Sequence, residues 1–138
     1  MLVLLSGRDL DSTQLAADEL LTEDFQAKAL MLDVTRPIQI EDAIETMESR
    51  FSRLDVMINH AAVYLDEIKS VFDVSIETFQ STLDVNLMGP LRLSQQLIQL
   101  LKRSINGRIV NVSSGMGALH DMGGVDPAYR VSKAGLLP

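Results

Sequence analysis

Short apolar runs alternate with longer segments of helical periodicity along the chain, and this alternation restricts the fold more than any other feature. Four runs are long enough to form strands, at residues 2–5, 29–32, 54–58 and 108–112. Strands separated by helices are typical of a parallel sheet in which each helix crosses over to the next strand. Because the runs carry apolar residues on both faces, we expect both faces of the sheet to be covered. The pattern predicts a doubly wound α/β fold with three layers.

Prolines mark several expected helix boundaries. Pro37 stands where a second helix can begin, because the first turn of a helix needs no N–H from it. A long helix is expected over about residues 75–103, and Pro90 should bend it. In a continuous helix the carbonyl of Asn86 would pair with the N–H of residue 90, which proline lacks, so this carbonyl would be left free. A last helix is expected over residues 127–138.

Composition limits the size and the partners of the protein. With 138 residues, 46% of them hydrophobic, the chain can bury one core, and we treat residues 1–138 as one domain. A net charge of −7, without a run of basic residues, argues against nucleic-acid and membrane partners. The chain has no cysteine, which excludes disulfides and thiolate ligands and is compatible with a cytoplasmic location. The apolar start ends at Arg8, too soon for a membrane span or a signal peptide.

Two residues in the last predicted helix have the spacing of a catalytic pair. Tyr129 and Lys133 are four residues apart, so they should project from one face of a helix. An ammonium held near a phenol favours its ionised form, which suits the phenol to act as a general acid or base. The same spacing is also common on solvated helices. Ser113 and Ser114 follow the preceding strand and would bring a hydroxyl to the same edge of the sheet, which favours the catalytic interpretation.

The serine, tyrosine and lysine together resemble the signature of the short-chain dehydrogenase/reductase family. The resemblance is strongest in residues 107–114 and 128–135. It implies that Ser114, rather than Ser113, steadies the substrate oxygen, that Tyr129 transfers the proton, and that Lys133 binds the nicotinamide ribose and tunes the phenol. The separation between Ser114 and Tyr129 is slightly longer than in many members, and the intervening polar loop is expected to shape the substrate pocket.

Three further segments match the family in order, and they extend the resemblance over essentially the whole chain. Asp33 and Val34 resemble the family's adenine contact, although Asp33 would serve equally well as a capping or turn residue. Asn59 and Ala61 belong to a segment that lies beneath the coenzyme in the family. There His60 replaces a second asparagine, and with no other histidine nearby we expect neither catalysis nor metal binding from it.

Asn86 matches an asparagine that orders a water linked to the lysine in the family. The alternative is that Gly89 and Pro90 simply kink the helix to fit it to the sheet. The resemblance also makes the turn after the first strand the place that selects the coenzyme. Ser6 and Arg8 in that turn favour the 2′-phosphate of NADP over NAD, although Arg8 could also be an ordinary surface residue.

The family resemblance implies an enzyme that transfers a hydride between NADP(H) and a carbonyl or alcohol substrate, in a Rossmann-like fold. The family begins with a strand and a glycine-rich turn that this sequence lacks before Met1, and it continues beyond Pro138. In the family's strand order, 3-2-1-4-5-6, the first strand is central. We therefore expect a gap between the strands at 2–5 and 54–58. Unless another segment fills this gap, the fragment should not bind NADPH tightly and should be poorly soluble or partly unfolded.

A non-catalytic relative or binding module that has lost coenzyme binding is the alternative to an enzyme. The intact Ser114, Tyr129 and Lys133 set favours the enzyme, whereas the missing glycine turn favours the alternative. Related enzymes often associate through the long helix and the tyrosine-lysine helix. A homodimer or homotetramer of the full-length protein is therefore expected.

Overall fold

The computed structural model describes residues 1–136, which form two compact regions. We call residues 1–51 the first region and residues 52–136 the second region. Each contains one pair of parallel strands with helices following the strands, so the predicted α/β class and parallel pairing are confirmed. None of the helices in the described part of the chain has the length and apolar character needed to cross a membrane.

The first region has two strands and two helices. These are β1 (Leu2–Gly7), α1 (Leu10–Thr22), β2 (Gln26–Met31) and α2 (Pro37–Arg50). β1 and β2 are parallel, with Leu2 opposite Gln26 and Gly7 opposite Met31. The carboxylate of Asp9 accepts hydrogen bonds from the first turn of α1, and Pro37 begins α2 as predicted.

The strand boundaries in the first region differ from those predicted. β1 continues through Ser6 and Gly7, which we expected in the turn, because both pair with β2 in the parallel register. β2 begins at Gln26, three residues before the predicted start, and ends at Met31. Its polar early residues were not recognised as strand because their pairing with β1 depends on main-chain hydrogen bonds rather than on apolar side chains.

The second region has two strands, three α-helices and several short turns. These are β3 (Val56–Asn59), α3 (Ile76–Leu83), a π-helical turn (Asp84–Met88), α4 (Gly89–Lys102), β4 (Arg108–Asn111), two 3-10 turns (Gly115–Gly117 and Leu119–Asp121) and α5 (Pro127–Ala134). β3 and β4 are parallel, with Asn59 opposite Asn111. The predicted start of α5 is confirmed, but the helix ends at Ala134; Pro138 lies outside the described residues.

The predicted continuous helix over residues 75–103 is interrupted by the π-helical turn. In this turn the N–H of Gly89 donates to the carbonyl of Asp84, five residues back, instead of four. Pro90 follows immediately and is buried with Gly89. The missing N–H of proline explains why the four-residue pairing cannot continue through this point. The turn places Asn86 in the interior.

The strands of the second region expose much of their apolar surface. Val56 is 44% exposed, Ile58 61%, Ile109 40% and Val110 43%. β1 pairs with β2 and β3 with β4, and among the described residues these are separate two-stranded sheets. The expected gap between β1 and β3 stays a prediction.

Candidate functional site

Tyr129 and Lys133 project from the same side of α5, as their spacing predicts. The Nζ atom of Lys133 lies 5.8 Å from the centre of the Tyr129 ring. Tyr129 is half-buried, whereas Lys133 is only 3% exposed. The surroundings of Lys133 are therefore unlike those of a lysine on a solvated helix.

The ammonium of Lys133 is fixed at the end of β4. Its Nζ donates to the main-chain carbonyl of Val112, at 2.8 Å, and burial lowers the pKa of Lys133. Val112 immediately precedes the two serines. The contact therefore ties the lysine side chain to the segment that carries the predicted catalytic hydroxyl.

The two serines after β4 have different partners. The hydroxyl of Ser113 donates to the main-chain carbonyl of Lys133, at 2.8 Å, and so fastens this segment to α5. The hydroxyl oxygen of Ser114 accepts from the N–H of Met116 at 3.2 Å. Because Ser114 acts there as an acceptor, its own O–H can still donate to a substrate oxygen.

A close backbone contact holds the 3-10 turn after the serines against α5. A Cβ atom added to Gly117 would lie 2.7 Å from the main-chain carbonyl carbon of Lys133. Only glycine allows this approach without a shift of the main chain. The serine segment and α5 are therefore joined by Gly117, by Ser113 and by the Lys133 ammonium.

Asn86 connects the long helical segment to a loop and to α5. Its Oδ1 accepts from the N–H of Val63 at 2.8 Å, and its Nδ2 donates to the Val63 carbonyl at 2.8 Å and to Ser132 Oγ at 2.9 Å. The side chain is 1% exposed. The described contacts make it a link between three segments, and its expected role in ordering a water stays a prediction.

Asn59 lies at the end of β3, where it contacts β4. Its Nδ2 donates to Asn111 Oδ1 at 2.8 Å, and its carbonyl accepts from the N–H of Val112 at 3.0 Å. Ala61 and His60 are exposed beyond the strand. Among the described residues, no group of three or more His, Cys, Asp or Glu could hold a metal ion.

The remaining candidate residues lie in the first region. Ser6 and Arg8 are exposed, whereas Val34 is buried. Asp33 Oδ1 accepts from the N–H and the hydroxyl of Thr35, at 2.9 and 2.7 Å, so the turn interpretation of Asp33 is confirmed. Its contact with adenine stays a prediction.

Neighbouring residues favour the ionised form of the Asp33 carboxyl group. Partial burial acts to raise the pKa of Asp33, but the hydrogen bonds from Thr35 and the charges of Arg8 and Arg36 outweigh it and hold that pKa below its usual range. The carboxylate is therefore ionised near neutral pH and can accept a hydrogen bond from a ligand.

Sequence reasoning missed three residues next to Tyr129. The fully buried carboxylate of Asp66 accepts from the N–H of Ala128 at 2.7 Å and from that of Tyr129 at 3.3 Å. The ring of Tyr64 packs on that of Tyr129, with centroids 4.6 Å apart. Asp126 accepts from the N–H of Ile68 at 2.7 Å.

Arg130 fastens the polar loop that precedes α5. Its Nη1 donates to the Asp121 carbonyl and its Nε to that of Val125, both at 2.9 Å. No local pattern identifies Asp66 or Asp126, because each binds main-chain groups about 60 residues away that only the folded chain brings near.

Comparison with known proteins finds oxidoreductases that are similar to this chain in sequence. An uncharacterized oxidoreductase, YxjF, of Bacillus subtilis strain 168 is 27% identical over 135 residues, which cover 98% of this chain and 51% of that protein. The 3-oxoacyl-[acyl-carrier-protein] reductase FabG of Escherichia coli K12 is 29% identical over 110 residues, 80% of this chain and 43% of the relative. The chain thus spans about half the length of the curated relatives it matches.

The fold is also found in solved structures. A gluconate 5-dehydrogenase of Burkholderia cenocepacia, in complex with NADP and tartrate, superposes with a TM-score of 0.83 at 20% identity, over 96% of this chain and 51% of that one. This likeness confirms the Rossmann-like α/β fold. The family model described as short chain dehydrogenase matches residues 1–137. The chain therefore belongs to the short-chain dehydrogenase family.

Proposed function

We propose that the protein is an oxidoreductase that transfers a hydride between NADP(H) and a small carbonyl or alcohol substrate, with Tyr129 exchanging the proton. The observation that carries this proposal is the buried ammonium of Lys133, fixed at the end of β4 and 5.8 Å from the centre of the Tyr129 ring. Ser114 follows the same strand. The family's known members include oxidoreductases such as the bacterial relatives above.

Each of the three side chains has a role in the reductive direction. Tyr129 donates its proton to the carbonyl oxygen as the substrate is reduced. Ser114 donates a hydrogen bond to the same oxygen and stabilises the charge that develops there. Lys133 holds its ammonium beside the Tyr129 ring, 5.8 Å from the ring centre, and can also bind the ribose of the coenzyme. NADPH, when bound, supplies the hydride for the carbonyl carbon.

The donor set of the chain is suited to NADP. In the second region, the Lys133 ammonium and the Tyr129 hydroxyl can donate to ribose hydroxyls, and Asn59 and Ala61 would lie beneath the coenzyme. In the first region, ionised Asp33, beside Val34, can accept from the exocyclic amine of adenine. The similar gluconate 5-dehydrogenase is an NADP complex, which supports this coenzyme.

The choice of NADP over NAD is assigned to the turn after β1. Exposed Arg8 offers a planar donor fork to a 2′-phosphate, and Ser6 adds a hydroxyl. The adjacent carboxylate of Asp9, which caps α1, offsets some of this charge. Arg8→Asp should lower the ratio of catalytic efficiencies with NADP and NAD by about 10-fold. An unchanged ratio would make Arg8 an ordinary surface residue.

Tyr129→Phe tests the proposal most simply in the protein that carries this chain. The variant should lose turnover by roughly 100-fold or more, because it lacks the proton donor, while coenzyme binding should stay largely intact, since Lys133 can still donate to the ribose. Lys133→Met should impair both coenzyme binding and rate, and Lys102→Met, at an exposed position, is its matched control. NADPH-dependent carbonyl reduction at a near-normal rate by Tyr129→Phe would contradict the proposal.

A binding module without activity is the second candidate. The contacts that fix the Lys133 side chain favour the enzyme over this alternative, since a binding module has no need for a buried ammonium beside a phenol. The treatment of residues 1–138 as one domain, the cytoplasmic location and the homodimer or homotetramer stay predictions.

A further inference from the structure

The helix that carries Tyr129 is capped by a residue far away in the sequence. Asp126 occupies the N-cap position of α5, but its side chain makes no capping hydrogen bond to the helix. The N–H groups of Ala128 and Tyr129 are instead bound by the carboxylate of Asp66, 62 and 63 residues earlier in the chain. Asp66 is fully buried. A buried carboxylate at a helix N-terminus is stabilised both by these N–H groups and by the helix dipole.

Asp126 is used to fasten the Asp66 loop instead. Its Oδ1 accepts from the N–H of Ile68, and its own N–H donates to the carbonyl of Lys69 at 2.9 Å. A β-bridge between Ser70 and Val125 continues the contact. The loop around Asp66 and the start of α5 are therefore joined in both directions.

The backbone of this contact is strained. Ile68 and Asp126 both have φ of 62°, in the left-handed region. That conformation is unfavourable for a β-branched residue such as isoleucine, and it persists only where surrounding contacts enforce it. The hydrogen bond between these two residues supplies such a contact. The strain indicates that contacts between distant parts of the chain, and not the conformational preferences of single residues, fix the backbone beside Tyr129.

The same loop supports the phenol ring directly. Tyr64, two residues before Asp66, places its ring 4.6 Å from that of Tyr129, with the planes tilted by 41°. Offset aromatic pairs at this separation attract each other beyond the burial of their area. One loop thus restrains Tyr129 at its backbone, through Asp66, and at its side chain, through Tyr64.

We infer that Asp66 is a positioning residue for Tyr129, acting through the main chain of α5, and that Tyr64 completes this support at the ring. The inference rests on the proposed function of Tyr129. Asp66 is fully buried and its carboxylate binds main-chain N–H groups of α5, so the inferred role involves no contact with substrate or coenzyme. Its loss should therefore misplace the proton donor without weakening coenzyme binding.

Asp66→Ala and Asp66→Asn separate this role from a general effect on folding. Asparagine retains an oxygen that can accept from Ala128, so it should keep kcat within about 3-fold, whereas alanine should lower kcat by about 10-fold or more. The dissociation constant of NADPH should be the same in both variants, and circular dichroism should confirm that they are folded. Asp73→Asn, which changes an exposed carboxylate in the same segment, is the matched control.

Different results identify different failures. If Tyr129→Phe is inactive but Asp66→Ala keeps a normal kcat, the positioning role is wrong and the proposed function stands. If Tyr129→Phe is active, the proposed function fails first. Should Asp66→Ala not fold, Tyr64→Leu replaces it: a kcat reduced about 3-fold or more with unchanged NADPH binding supports the inference, and an unchanged kcat overturns it.

Discussion

Eight polar or charged side chains are buried among the described residues, and seven of them lie in the second region. In the first region the buried polar residue is Thr13, and the interior is formed by apolar side chains such as Ala17, Ile40 and Met47. In the second region the interior includes Asn86, Asp66 and Lys133. The two regions share a strand-helix architecture but are stabilised by different chemistry.

The contacts also differ in how far along the chain they reach. In the first region Asp33 hydrogen bonds to Thr35 and Gln39, two and six residues away. In the second region Asn86 binds Val63, 23 residues away, and Asn59 binds Asn111, 52 residues away. A satisfied polar network fixes one arrangement of its members, since each misplaced group would be left unpaired in a low-dielectric interior. The proposed catalytic residues lie in the region that is fixed in this way.

The largest effect on stability is expected from Asn86→Leu. Leucine is close to asparagine in volume but removes three hydrogen bonds and leaves both main-chain groups of Val63 without these partners. The free energy of unfolding should fall by about 4 kcal/mol. Urea unfolding measures it, and Asn106→Leu, at an exposed position, is the control. If the free energy of unfolding fell no more than in the control, the polar network would not be what stabilises the second region.

Ile40→Ala makes the corresponding change in the first region. Ile40 is fully buried in α2, so alanine removes apolar contacts and leaves a cavity, at a cost of about 3 kcal/mol. Ile38→Ala changes an exposed isoleucine in the same helix and should cost much less. Equal unfolding free energies for the two variants would contradict the apolar account of this region.

Features with local signals were predicted correctly, whereas the strand boundaries of the first region were not. The position of Pro37 predicted the start of α2 correctly, because the preference of proline for the first turn of a helix is a local one. The spacing of Tyr129 and Lys133 likewise predicted their common face, since that depends only on helix geometry.

The polar contacts of the second region could not be predicted in this way. Asp126 immediately precedes Pro127 and occupies the N-cap position of α5. The carboxylate that accepts from the first N–H groups of the helix nevertheless belongs to Asp66. The partner of a buried carboxylate is decided by which loop the fold brings near, and no periodicity records it. The bend in the long helix was predicted from Pro90. The wider π-helical turn, which places Asn86 in the interior, was not predicted.

A smaller effect is expected in the titration of Tyr64. Partial desolvation, together with the neighbouring carboxylate of Asp126, raises the pKa of Tyr64 to about 12 from its ordinary value of 10.0. The neutral phenol is therefore favoured by folding. Its contribution to stability should be complete below pH 10.0 and be lost as the pH rises toward 12.

The two tyrosines of the chain, with no tryptophan, make this titration simple to measure. The difference in phenolate absorbance between Tyr129→Phe and Tyr129→Phe/Tyr64→Phe reports Tyr64 alone. Asp126→Asn in that background should move the midpoint down toward 10.0, because it removes a negative charge while keeping an acceptor for Ile68. The same midpoint with and without the carboxylate would show that Asp126 has no influence on Tyr64.

Amide hydrogen exchange tests the central claim most directly, because side chains far away in sequence protect particular N–H groups of the second region. The N–H groups of Val63, Ile68 and Ala128 donate to Asn86, Asp126 and Asp66, at 2.8, 2.7 and 2.7 Å. These three amides should exchange about 100-fold more slowly than in an unstructured peptide. The amide of Asn106, bonded only to an exposed hydroxyl, should exchange fast. Fast exchange at all three protected positions would contradict the claim that long-range polar contacts hold the surroundings of Tyr129.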